Sequence, residues 1–135
     1  MNSMKDPTEQ QIKKVIADYL RLKKFIVINH RNVGIYKKDT GKYIPLPSGE
    51  KGISDIIGCS PRGTFVAIEV KKKGGRPSPD QLYFLERVRQ NGGIGILAYS
   101  FEDVEPEIEA YLKGNFGVGK IQTDTQADKD EKQTS

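Results

Sequence analysis

In 135 residues the chain has one cysteine, one histidine and no tryptophan. A lone thiol, Cys59, can close no internal disulfide and build no multi-cysteine zinc site, and it suits a reducing cytoplasm. No apolar run approaches the ~20 residues that a membrane span requires, so no membrane association is expected. Met-Asn-Ser-Met-Lys-Asp-Pro at the N-terminus leads into no apolar stretch, so a secretory signal is not expected either. Neither sign of charge is scarce: 22 Lys and Arg face 18 Asp and Glu, a net charge of +4 with a pI near 9.1. The segment from Thr123 to Ser135 holds two lysines and four acids, a contribution of −2, so the rest of the chain carries +6. A basic body with an acidic end is compatible with a nucleic-acid partner, though many soluble proteins share that balance.

With 36% hydrophobic and 30% charged residues, the chain has the composition of one soluble domain. Asp6-Pro7-Thr8-Glu9 reads as a helix start, with Asp6 as cap and Glu9 as the capping-box acid. Ile12, Val15, Ile16, Tyr19 and Leu20 carry that helix to about Leu22. Phe25 to Asn29 reads as a strand, and Val33–Tyr36 with Lys42–Leu46 as a hairpin around Asp39-Thr40-Gly41. A short strand is predicted from Ile53 to Gly58, then a turn at Ser60-Pro61-Arg62-Gly63. Phe65 to Lys71 has the two-sided apolar pattern of a central strand. Ser78-Pro79-Asp80-Gln81 starts a second helix whose buried stripe is read as Leu82, Leu85 and Val88. Ile94 to Tyr99 is a further buried strand. Ser100 is placed as the cap of a last helical segment that Pro106 splits or restarts. Residues 1–119 form the expected domain, and 120–135 a polar tail expected to be disordered. The fold class is α/β: a mixed central sheet flanked by helices.

Within this frame three residues stand out. Glu69 and Lys71 are two apart on one strand, so both leave the same face, ~7 Å apart, while Val70 points to the opposite face. Asp55 lies on the preceding strand, and antiparallel pairing could set its carboxylate opposite Glu69. Two adjacent carboxylates repel unless a cation lies between them, and Mg2+ suits such a hard-oxygen, partly hydrated site that also accepts phosphate. Lys71 is placed to hold or deprotonate an attacking water. Phosphodiester hydrolysis is the implied reaction. The three residues alone also occur as solvated surface charges, and it is their context that separates the two readings.

Gly52-Ile53-Ser54-Asp55-Ile56-Ile57-Gly58, then Gly63 to Lys71, then Gly75-Arg76-Pro77-Ser78-Pro79-Asp80-Gln81 resemble the VRR-NUC (virus-type replication-repair nuclease) pattern of the PD-(D/E)xK superfamily. The likeness continues through Phe84, Gly92-Gly93 and Ser100 to Asp103, and back to Glu9 and Asn32. Ser54 departs from it, standing where the superfamily has proline; that position shapes a turn and supplies no metal ligand. The resemblance implies a restriction-endonuclease-like core, with Asp55, Glu69 and the Val70 carbonyl as ligands of Mg2+, for which Mn2+ can substitute, and Lys71 as the catalytic lysine. Glu9 and Gln81 are implied as further site residues. Glu9 extends the Ile12–Ile16 stripe and Gln81 precedes Phe84, Leu85 and Val88, although each also fits a capping box.

Lys72, Lys73 and Arg76 in a glycine-rich turn, together with His30 and Arg31, are candidate DNA-phosphate contacts, against the reading of a solvated loop. A single histidine argues against an HNH-type nuclease. Tyr36 and Tyr43 suit either base stacking or hairpin packing, and Cys59 is read as an inert buried thiol. The resemblance includes enzymes acting on flaps and branched junctions. The leading expectation is a structure-selective DNA endonuclease for four-way (Holliday) junctions. One catalytic centre per chain and the two-fold symmetry of a junction favour a homodimer, with the hairpin as contact element. The alternatives are a monomeric flap nuclease and a non-catalytic DNA-binding module.

Overall fold

Two capping boxes set the helices that frame the sheet. In the computed structural model, which describes residues 5–30, 34–45 and 50–114, helix α1 spans Glu9–Leu22. Its cap is Thr8: Thr8 Oγ1 accepts the Gln11 N–H at 3.1 Å, and Gln11 Oε1 accepts the Thr8 N–H at 2.8 Å. This corrects the frame expected at Asp6 and Glu9. Both frames satisfy the same four-residue pattern, and the one adopted leaves Glu9 at the first helical position with its carboxylate free to act elsewhere. Helix α2, Pro79–Gln90, begins as predicted, with Ser78 as cap, Pro79 in the first turn and Gln81 closing the box.

The strands are β1 (Ile26–Asn29), β2 (Gly34–Lys37), β3 (Lys42–Pro45), β4 (Ile56–Cys59), β5 (Phe65–Val70) and β6 (Ile94–Ala98). Four of them form one mixed sheet in the order β1-β4-β5-β6, antiparallel from β1 to β5 and parallel between β5 and β6. The parallel pair needs a crossover, and α2 supplies it. β2 and β3 pair in a separate antiparallel hairpin in which Tyr36 stands directly opposite Tyr43. The central position predicted for β5 is observed, and every residue from Val66 to Val70 is buried.

On one face of the sheet, Val66, Ile68, Val70, Ile94 and Ile96 pack against Ile12, Ile16 and Leu20 of α1 and against Ile108 and Tyr111 of α3 (Glu105–Leu112). Each such side chain contributes roughly 1.5–3 kcal/mol through removal from water. On the other face Leu85 and Val88 of α2 cover Ala67. The stripe expected on α2 is shorter than read. Leu82 is 47% exposed, whereas Leu85 and Val88 farther along α2 are buried. Pro106 restarts the C-terminal helix, as expected. Ser100 makes no side-chain cap and precedes a single 3-10 turn, Phe101–Asp103. Cys59 is half-buried rather than buried, its thiol donating to the Ser60 carbonyl.

β4 starts at Ile56, three residues later than expected. Gly52, at φ 70°, approaches α2 so closely that a Cβ there would stand 2.2 Å from the Asp80 carbonyl carbon. Gly52 therefore packs on the first turn of α2, the chain runs on to residue 55 without strand structure, and Asp55 immediately precedes the strand instead of lying in it. Among the described residues no helix is long and apolar enough to cross a membrane. The expected tail, Arg31 and Asn32 lie outside the described residues.

Candidate active site

The strand register brings the acidic pair together. Ile56 pairs with Ile68 across β4 and β5, so the preceding residue, Asp55, falls opposite Glu69. Asp55 is held on three sides. Its carbonyl accepts the His30 N–H at 2.8 Å, extending the β1–β4 ladder. Its Oδ2 accepts the Val70 N–H at 2.9 Å, and its Oδ1 lies 3.7 Å from Lys13 Nζ. Lys71 Nζ stands 3.6 Å from Glu69 Oε2. Asp55, Glu69 and Lys71 thus meet at one end of the sheet, as their spacing predicted.

Glu69 is 1% exposed, and its Oε1 has no hydrogen-bond partner. Burial first, then hydrogen bonding and charge from Asp55, push its carboxyl up from 4.5 to about 8; Lys71 opposes the shift but does not cancel it. A buried carboxyl with an unpartnered oxygen beside a second carboxylate is a costly arrangement for the protein alone. It fits a hard divalent cation, which would satisfy the orphan oxygen and offset the repulsion. Among the described residues no cluster of three or more His, Cys, Asp or Glu forms a metal cage. The donors here are two carboxylates and a strand-end backbone, the sparse set that Mg2+ completes with water and phosphate.

The remaining candidates lie at graded distances from this centre. Glu9 Oε2 accepts the Lys72 N–H at 3.2 Å, tying the first turn of α1 to the exit of β5. Gln81 Oε1 is engaged with the Ser78 N–H, so in this state its amide serves the cap of α2. Lys72 and Lys73 are exposed and border a groove of about 630 Å3 with Glu9, Gln10 and Lys13. Arg76 is exposed farther along the same turn. His30 lines a second, polar cavity of about 240 Å3 with Asp55, Asn29 and Lys13. Lys13 was missed from sequence, where a helical lysine reads as surface. Had Glu9 been followed along its helix face, Lys13 would have appeared one turn on.

The mixed sheet between α1 and α3 on one face and α2 on the other is a nuclease-type α/β fold. A profile of the VRR-NUC domain matches residues 8–102. The chain belongs to the VRR-NUC family. A solved structure described as a VRR_NUC domain is 25% identical and superposes with a TM-score of 0.53, covering 78% of this chain and 99% of its own. A second, a VRR_NUC domain protein at 20% identity, gives 0.54 over 81% of this chain and 91% of its own, and attests the fold. Comparison with curated proteins returns no match.

Proposed function

We propose that this chain is a magnesium-dependent, structure-selective DNA endonuclease that works as a homodimer on four-way junctions. The observation that supports catalysis is the Glu69 carboxyl, buried with an unpartnered Oε1 beside Asp55 and 3.6 Å from an ammonium. Asp55, Glu69 and the Val70 carbonyl would hold the cation. When bound, Mg2+ supplies Lewis acidity at the phosphoryl group. Mn2+ can stand in for it, since both accept oxygen donors in octahedral geometry. Val70 N–H fixes the Asp55 carboxylate, and burial on the face of β5 that Ala67 shares with α2 keeps bulk water off Glu69. Lys71 offers three donors to an attacking water, orienting it toward phosphorus and assisting removal of its proton. Lys72, Lys73, Arg76 and His30 border the approach and suit backbone phosphates, with Arg31 next in the chain.

The junction reading rests on symmetry. One centre cuts one strand, and resolving a four-way junction takes two related cuts, which a two-fold dimer delivers. Purified protein incubated with duplex, single-stranded, flap and four-way DNA, with and without MgCl2, tests both levels. Paired symmetric nicks in the junction, dependent on Mg2+ and lost in Asp55→Asn, are expected. No cleavage of any substrate with Mg2+ or Mn2+ would sink the nuclease reading. A monomer by light scattering that nicks one strand would overturn the dimeric resolvase alone.

A further inference from the structure

Two grooves share Gln10 and Lys13 of α1, and Lys13 is the charged residue common to both. One runs past Glu9, Lys72 and Lys73; the other past Asp55, Asn29 and His30. Along α1 the other basic side chains have partners on the helix itself: Lys14 lies 2.8 Å from Asp18, and Arg21 lies 4.0 Å from it. Lys13 differs. Among the described residues its ion pair is with Asp55, at 3.7 Å, and its side chain is only 21% exposed. Its ammonium faces the one Asp55 oxygen that the Val70 N–H leaves open.

From this geometry we infer that Lys13 is a phosphate-binding residue of the centre that pairs with Asp55 until a divalent cation takes that oxygen. The inference rests on the nuclease reading above. With a cation held by Asp55, the Lys13 ammonium would be released from that oxygen and remain on α1, on the lining of both grooves. A nucleic-acid backbone crossing from one groove to the other passes within its reach. Lys13 therefore has two opposing effects. It competes with the cation for Asp55 in the free protein, and it adds one positive contact to a bound phosphate. A surface lysine that only supported α1 would have neither.

Lys13→Met separates these effects, because it keeps the aliphatic stem and a comparable helix propensity while removing the charge. Mg2+ affinity is measured by calorimetry without DNA. DNA affinity is measured by fluorescence anisotropy in CaCl2 over a range of salt. Lys13→Met is expected to bind Mg2+ several-fold more tightly and DNA roughly five- to tenfold more weakly, with the salt slope reduced by about one. Lys13→Arg restores DNA binding. Unchanged DNA affinity in Lys13→Met, or weaker Mg2+ binding, would overturn the assignment while wild-type binding of both ligands leaves the nuclease reading standing. A wild-type protein that binds neither Mg2+ nor DNA would overturn both. Thermal melting of each variant identifies loss of fold, and Lys13→Arg then decides the outcome.

Discussion

The two ends of β5 treat buried polar groups in opposite ways. At the Phe65 end, Ser60 is 4% exposed, yet its Oγ meets Tyr111 Oη at 2.6 Å and accepts the N–H groups of Arg62 and Thr64 at 3.1 and 3.0 Å. Thr64 Oγ1 contacts the same phenol, and Arg62 reaches the carbonyls of Tyr111 and Leu112. This end is closed: each group answers another, and the network ties α3 to the β4–β5 turn. At the Glu69 end, a carboxyl equally deep in the protein keeps one oxygen unpartnered beside another acid. Satisfied burial secures the fold, whereas the unsatisfied carboxyl of Glu69 is the feature on which the proposed cation site rests.

The contrast is broken most sharply at Glu69. Glu69→Gln is expected to lower cleavage about a thousandfold or more, since charge stabilisation at the phosphoryl group goes with the ligand. The same change should raise the melting temperature of the metal-free protein, because a buried acid is replaced by a neutral amide. Its pH dependence has a fixed sign. The carboxyl titrates near 4.5 in the unfolded chain and at about 8 in the folded one, so the folded state binds the extra proton. Glu69 thus contributes stability below pH 4.5 that declines between 4.5 and 8 and is lost above. Without metal, wild type should melt at lower temperature as pH rises through that window, and Glu69→Gln should flatten this part of the profile. A parallel profile in the variant would show that Glu69 is not the group responsible.

Lys71→Ala comes next, with a loss of about a hundredfold in the chemical step measured at saturating DNA and Mg2+. Calorimetric Mg2+ affinity should be retained, and an unchanged single-turnover rate would mark Lys71 as a bystander. At the closed end, Ser60→Ala is expected to cost about 1 kcal/mol in urea unfolding, because it removes the acceptor of two part-buried N–H groups, those of Arg62 and Thr64. Cutting per folded molecule should not change. Smallest of all is Ser54→Ala. Its hydroxyl is buried and unpartnered, so removal should leave stability within about 0.5 kcal/mol of wild type or improve it. A large loss there would reveal a partner for that oxygen.

Where the sequence carried periodicity or turn chemistry, the fold was legible. The α2 cap, the central strand and the hairpin all followed from local rules. The frame of α1 was not decidable, because Asp6–Glu9 and Thr8–Gln11 both write a capping box, and only tertiary contact distinguishes them. In the adopted frame Glu9 bonds the Lys72 N–H. Leu82 obeyed the helical period but is exposed, since periodicity does not tell which turns of a helix are covered. The juxtaposition of Asp55, Glu69 and Lys71 was legible because the β4–β5 turn is short and register is set by alternation, whereas their roles were implied by the family resemblance. Lys13 lies 42 residues before Asp55, and no local pattern records a pairing at that separation.

Gly52 gives the site a dependence that no inventory of its chemical groups would show. The loop that delivers Asp55 rests on the backbone of Asp80 and Gln81 at a distance only a hydrogen side chain permits. Position 52 acts as a spacer of fixed thickness: any added carbon must push α2 and the Asp55 loop apart. The seating of the segment that leads into Asp55 therefore depends on a residue that bears no chemical group of its own. A survey of random substitutions should find inactive proteins at position 52 that contain every catalytic group.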